Sequence, residues 1–321
     1  MMDPELRERI RRAWRVSREN LGWDIWFYAP SFAPYEGGRF AGAKPLFPSI
    51  SITGRWCALR CEHCGGVLLR GMIPARTPEK LLEVLRELSR RGCVGCLISG
   101  GCTPRGDVPL GRFVDAIAEA KRELGLTILV HTGIISRGLA ARLGEAGVDA
   151  ALIDIIGSDE TIRSVYHLNA SVDDYEGALE ALEEAGVPTV PHVIVGLHYG
   201  KLKGEINALR IVSRHKPAAL VIIALIPIPR TGMSGIEPPK PEEIAGVIAD
   251  ARLLMEETPI ALGCMRPKGA HRTRTDLLAL EAGVNAIAYP TREAVERAED
   301  LGLKVHFSPV CCSQVYVDIN R

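Results

Sequence analysis

Residues 78–99 read PEKLLEVLRELSRRGCVGCLIS, and three features of this stretch set the architecture. Pro78–Arg90 repeats apolar residues at helical spacing, so an amphipathic helix is expected there. Gly92 follows, and glycine takes the left-handed conformation that closes a helix without a Cβ penalty. Leu97–Ser99 is then short and apolar throughout, the pattern of a strand buried on both faces. The same glycine junction recurs at Gly125, Gly147, Gly186, Gly283 and Gly302. Apolar runs follow at Thr127–Val130, Ala151–Ile155, Val193–Val195, Ala286–Ala288 and Val305–Phe307, with Leu220–Leu225 and Ile260–Leu262 completing the set. Further helices are expected over Gly111–Leu124, Asp173–Ala185 and Pro241–Glu256. Alternating helices and strands imply an α/β fold, a parallel sheet with helices outside. So many units favour a (βα) TIM-type barrel of roughly six to eight strands over an open sheet.

Ser49–Ile52 is apolar and β-branched and reads as the first barrel strand. Residues 1–48 are expected to form an N-terminal extension of one or two helices with an aromatic patch, Trp23–Tyr28. The barrel then occupies residues 49–321. Acids and bases are equal in number, 39 each, so no net field draws in nucleic acid or an anionic membrane. The longest apolar run, Ala218–Ile228, is too short to span a bilayer, and Met1–Glu5 lacks the apolar core of a signal peptide. A cytoplasmic protein is expected. Nine cysteines, an odd number in such a chain, point to metal or redox chemistry rather than a disulfide framework.

The first strand runs into Cys57-Ala58-Leu59-Arg60-Cys61-Glu62-His63-Cys64-Gly65-Gly66. Loops after barrel strands lie on the face where active sites are built. Three thiolates this close can wrap one metal centre, and soft sulfur favours an iron–sulfur cluster or zinc. A cubane has four irons, so three cysteines leave one iron open to a methionine amino and carboxylate group. A zinc site would want a fourth ligand nearby, and the spacing of His63 is cramped for that role.

The spacing Cys57-x3-Cys61-x2-Cys64 resembles the signature of the radical S-adenosylmethionine (SAM) superfamily. The resemblance implies a [4Fe–4S] cluster with one open iron, and S-adenosylmethionine bound to it. It further implies that Ser99, Gly100 and Gly101 receive the methionine amino group. His63, where the family usually carries an aromatic residue, offers its backbone to adenine. Asp154 takes the ribose hydroxyls as in biotin-synthase-like members, a loop acid or helix cap being the alternative. Val195 and Gly196 lie on the adenine side. Arg163 holds the methionine carboxylate or else a surface ion pair. Tyr166, His167 and Asn169 follow in a polar loop that can line the substrate side, and His131 and His192, at strand ends, carry no assigned role.

Cys102, Cys264, Cys311 and Cys312 all follow expected strands, on the same face as the triplet. An auxiliary [4Fe–4S] cluster ligated from among these four is expected, the alternative being small buried residues. Cys93 and Cys96 precede their strand and belong to the opposite face. The segment Tyr28-Ala29-Pro30-Ser31-Phe32 and the Cys64-Gly65-Gly66 extension resemble archaeal biotin synthase homologues that form one half of a two-protein lipoyl synthase. That resemblance implies a radical SAM sulfurtransferase acting at C6 or C8 of an octanoyl chain on a lipoyl carrier protein. A sacrificial auxiliary cluster would donate the sulfur, with a second radical SAM subunit and a ferredoxin-type electron donor as partners. The rival readings are a biotin synthase or methylthiolation-type enzyme and, more distantly, a non-catalytic iron–sulfur or zinc protein.

Overall fold

The computed structural model describes residues 2–29 and 46–320. Its strands are β1 (Asp24–Tyr28), β2 (Ser49–Ser51), β3 (Ile73–Pro74), β4 (Gly95–Ser99), β5 (Thr127–His131), β6 (Ala150–Asp154), β7 (Thr189–Val195), β8 (Leu220–Ala224), β9 (Ile260–Leu262), β10 (Ala286–Ala288) and β11 (Lys304–Ser308). The helices are α1 (Pro4–Leu21), α2 (Pro78–Arg90), α3 (Val114–Leu124), α4 (Arg137–Glu145), α5 (Asp159–Tyr166), α6 (Val172–Glu184), α7 (Glu205–Arg214), α8 (Pro241–Leu254), α9 (Ala270–Glu281), α10 (Arg292–Asp300) and α11 (Val315–Asp318). The expected helix over Pro78–Arg90 is reproduced to the residue, with Thr77 capping it through its side chain.

All strands are parallel and form one curled sheet in the order β11-β1-β10-β9-β8-β7-β6-β5-β4-β2-β3. Among the described residues eleven strands replace the expected six to eight. Nine match the apolar runs named above, and the other two are β1 and the two-residue β3. Among the described residues β3 and β11 do not pair, so the barrel is open.

The position of β1 corrects the expected boundary at residue 48. Trp23–Tyr28 is not an appended patch, because Asp24–Tyr28 lies between β10 and β11 and pairs with both. Its aromatic and β-branched residues suit a pleated, packed surface, and Phe27 and Tyr28 are fully buried. The preceding helix, α1, lies outside the barrel proper, packed on α8 and α9. Pro30, Ser31 and Phe32 lie outside the described residues.

Side chains alternate across the sheet and divide the core in two. One set, including Ile98, Ile128, Val130, Ile153 and Val193, packs against the helices. The other, including Leu129, Leu152, Val190, Val221 and a run of alanines on β9 and β10, faces the lumen. The C-terminal segment belongs to this second set. After β11 the chain turns inward, and Cys312, Ser313, Gln314 and Val315 are buried against β8, β9 and β10. Tyr28 Oη donates to Asp318 at 2.6 Å, and Tyr316 Oη donates to the carbonyl of Asp149 at 3.0 Å. Asp149 immediately precedes β6, so the chain end plugs the N-terminal mouth and leaves the other mouth to the loops.

Candidate active site

The cysteine loop starts where β2 ends. Ser51 Oγ donates to the Gly54 carbonyl at 2.8 Å, and Thr53 Oγ1 donates to the Trp56 carbonyl at 2.9 Å. Gly101, after β4, donates its N–H to Thr53 Oγ1 at 2.7 Å, and the Ala58 N–H bonds the Cys102 carbonyl at 2.9 Å. An added Cβ at Gly101 would overlap the Trp56 carbonyl and Cys57, so glycine is required here by the crossing of two loops. On the far side, Glu62 N–H bonds the Val165 carbonyl of α5 at 2.9 Å, and the Glu62 carboxylate meets His167 at 3.0 Å.

The ligand atoms of Cys61, His63 and Cys64 all lie within 4.8 Å of one another. Cys57, half-buried in the same loop, acts electrostatically on Cys61. The Cys61 hydrogen bond, together with His63, holds the Cys64 thiol well below its usual range, while Cys61 is pushed up by the same bond and by burial. One thiolate is therefore already favoured before metal arrives. Burial works against the His63 imidazolium, but its hydrogen bond to Cys64 and the nearby Cys64 and Asp154 charges outweigh it, so His63 is raised. Two buried polar atoms beside the loop, His63 Nδ1 and Tyr166 Oη, have no hydrogen-bond partner among the described residues. Orphaned donors and acceptors next to clustered thiols suit a cluster with a polar ligand on it, so the residues present fit an iron–sulfur centre and a bound nucleoside.

Alternation aims Ser99, His131, Asp154, His192 and Ile194 into the lumen, at the mouth that carries the cysteine loop. Asp154 and His192 are register partners, and His131 Nε2 lies 3.7 Å from Asp154 Oδ1. Burial pushes Asp154 up, yet the bond to His131 and the charges of His131, His192 and His63 hold its carboxyl below the usual range. Burial lowers His192 to about 4, so its imidazole is neutral near pH 7. This His131–Asp154–His192 group was not assigned from sequence. Its signal is a polar residue at lumen register on three successive apolar strands.

The other expected residues fall as follows. Arg163 is exposed on α5, and among the described residues its guanidinium makes no hydrogen bond. Val195 is buried on the helix side. Gly196 has φ +75° and gives its N–H to Glu205 at 2.8 Å, with Pro239 closing over it. Tyr166 is the last residue of α5 and buried, rather than part of a loop, whereas Asn169 is exposed. Cys93 and Cys96 pack on the helix side of the sheet, away from the lumen.

The four remaining cysteines separate. Cys102 packs with Cys57 and Cys64, and its thiol is pushed up to about 12 by burial and by Cys57. Cys264, Cys311 and Cys312 belong to the lumen core at the β9 and β11 end of the sheet. Cys264 is raised to about 11 by burial and then by Cys311, and Cys312 holds Cys311 down by a hydrogen bond. Cys102 is thus not brought to the other three: four strands, β5 to β8, stand between β4 and β9. Arg266 fixes the turn after β9. Fully buried, it pairs with Asp276 at 2.7 and 3.0 Å and donates to the carbonyls of Gly263, Ala288 and Tyr289.

Among the described residues no helix is long and apolar enough to cross a membrane. Residues 51–201 match the Radical SAM superfamily. The chain is 28% identical to a biotin synthase of Halorhodospira halophila over 250 residues, 74% of this chain and 73% of that one. It is 29% identical to a biotin synthase of Acidithiobacillus ferrooxidans over 245 residues, covering 74% and 76% of the two chains. Among solved structures, methylornithine synthase (PylB) superposes with a TM-score of 0.65 at 17% identity, covering 99% of this chain and 93% of that one. The hydrogenase maturase HydG gives 0.66 at 15% identity, over 99% and 72%. These two likenesses are of fold. The cysteine loop, the open parallel barrel above it and the matched segment make this chain similar to the radical SAM superfamily, with biotin-synthase-like relatives.

Proposed function

We propose that this chain is a radical SAM enzyme that inserts sulfur at an unactivated C–H bond, drawing it from a second iron–sulfur cluster held by Cys264, Cys311 and Cys312. The observation that carries the reading is this second thiol group in the lumen core, with five strands between β9 and the β2 strand that leads into the loop of Cys57, Cys61 and Cys64. When bound, the first cluster and S-adenosylmethionine supply a 5′-deoxyadenosyl radical able to abstract hydrogen from carbon. The chain does the rest by binding and screening. Three cysteines leave one iron for the methionine amino and carboxylate groups, with Arg163 free to meet the carboxylate. Asp154, ionised, accepts from the ribose hydroxyls. Neutral His192 can hydrogen-bond in the lumen without bringing a charge there. Leu97, Ile194 and Ile223 are half-buried at lumen register and offer apolar surface to a substrate there.

The named relatives favour a small free substrate of the biotin synthase kind, such as dethiobiotin. The second candidate is an octanoyl chain carried on a lysine of a lipoyl carrier protein, with a second radical SAM subunit completing the lipoyl group. Cluster-reconstituted protein, reduced and given S-adenosylmethionine, should convert one of these to a thiolated product detectable by mass spectrometry. Dethiobiotin and an octanoyl-lysyl peptide are supplied separately, which separates the two readings. Iron should number about eight per chain and fall to about four when Cys264, Cys311 and Cys312 are all replaced by serine. About four irons in the unaltered protein overturns the second cluster.

A further inference from the structure

We propose that the N-terminal end of the barrel, away from the cysteine loop, holds a binding site for one small inorganic anion between Arg18, Arg252 and Asn285. Arg18 is in the last turn of α1 and Arg252 in the last turn of α8, while Asn285 immediately precedes β10. Both arginines are buried, Arg18 at 7% exposure and Arg252 at 0%. Hydrogen bonds join the three into one group. Arg18 Nη2 donates to Ser17 Oγ at 2.8 Å, and Ser17 Oγ donates to the Gly283 carbonyl at 2.7 Å, in the turn that leads to Asn285. Arg252 Nη2 donates to Asn285 Oδ1 at 2.6 Å, and Arg252 Nη1 donates to the carbonyls of Met255, Glu256 and Thr258. Burial, followed by the charge of Arg18, lowers Arg252 to about 9, so the two guanidinium groups feel each other.

No negative charge on the chain answers this pair. Among the described residues neither arginine forms an ion pair with a carboxylate. Burial lowers Arg18 to about 10 against the opposing charge of Asp24, and Asp24 itself is bonded to His306 at 2.5 Å. Arg18 also lies over the Trp14 ring, 4.9 Å from its centroid, which leaves its in-plane N–H groups to be met. Four buried polar atoms have no partner among the described residues: Arg18 Nε and Nη1, Arg252 Nε and Asn285 Nδ2. All four are donors. A guanidinium has no acceptor, and the Asn285 amide is fixed in orientation because Oδ1 accepts from Arg252 and from the Ile260 N–H at 3.1 Å. Two like charges out of water, with N–H groups that nothing accepts, call for a negatively charged acceptor. Water would answer the donors one at a time and leave both charges uncompensated. A cleft of about 600 Å³, lined by Leu21 and by the Arg252 partners Met255, Glu256 and Thr258, opens beside the group and gives an ion a way in. The bound anion ties α1 to the starts of β9 and β10.

The test uses the full chain, cluster-loaded without oxygen and unfolded with urea, which brings no ions of its own. Sodium chloride and sodium phosphate are compared with sodium gluconate, whose anion is too bulky for the site, at matched ionic strength so that screening cancels. The wild-type midpoint should rise with chloride or phosphate concentration and stay flat in gluconate. Arg18→Gln should raise the concentration needed for that gain about tenfold or more. Asn285→Asp keeps Oδ1 and puts a carboxylate oxygen where the orphan donor was. Its midpoint in gluconate should exceed that of wild type, and chloride or phosphate should raise it no further. Arg12→Gln, on the exposed face of α1, should respond as wild type does, and a general salting effect would act equally on every variant. If neither anion moves the wild-type midpoint beyond gluconate, the proposal is overturned. It is overturned as well by an Asn285→Asp chain that gains from the anions as wild type does. Should Arg18→Gln fail to fold, Asn285→Asp decides alone.

Discussion

At the residue scale, the site depends on groups that few substitutions could replace. Gly101 lies where the loops after β2 and β4 touch, and a methyl group there meets the backbone of Trp56 and Cys57. Gly101→Ala should cost about 1–3 kcal/mol by overpacking and move Cys57, so that bound iron falls well below wild type while the far-ultraviolet spectrum is kept. Full iron loading would show that the loops can yield. His192 carries a pH signature. Its folded value is depressed to about 4, whereas an unfolded histidine titrates near 6.5. The unfolded chain therefore binds a proton before the folded one, and stability declines as pH falls from about 6.5 to about 4, by about 3 kcal/mol in all. Urea midpoints measured at several pH values should show a shallower acid decline in His192→Gln than in wild type, and parallel curves would count against the assignment.

At the element scale, the two ends of the sheet are secured differently. The cysteine loop hangs on backbone hydrogen bonds from Val165 and Cys102, so α5 and β4 set its place. The turn after β9 instead relies on Arg266, whose charge is wholly buried with Asp276. Removing one partner of such a pair leaves the other charged and dry. Asp276→Asn should lower unfolding free energy by about 3–5 kcal/mol, whereas replacing both by apolar residues of similar volume should cost far less. Chemical denaturation of the two variants checks this, and equal losses would mean that the carbonyl contacts of Arg266 dominate. The consequence reaches function, because Cys264 sits in the turn that Arg266 fixes.

At the scale of the whole molecule, the barrel closes on sequence-distant pieces. β1 joins β10 to β11, and the chain end fills the lumen behind it through Tyr28 and Asp318. Deleting residues 1–47 would leave β10 and β11 without their shared neighbour and expose unpaired strand edges. Such a fragment should lack a cooperative thermal transition and aggregate. A sharp melt near that of the full chain would instead restore residues 1–48 as a separable extension.

Much of this was legible in local sequence. The helix, glycine and apolar-run repeat determined the parallel βα fold, because each signal acts over a few residues: periodicity, a left-handed cap, continuous burial. The spacing of Cys57, Cys61 and Cys64 likewise placed one loop around one centre. Other features rested on register and on contacts between distant segments. The sequence cannot say that Trp23–Tyr28 enters the sheet, since its partners lie more than 250 residues away. Nor can it divide the remaining cysteines: all four follow strands, and only the strand order separates Cys102 from Cys264, Cys311 and Cys312. His131, Asp154 and His192 meet for the same reason, because parallel register aligns residues that the chain keeps a helix apart.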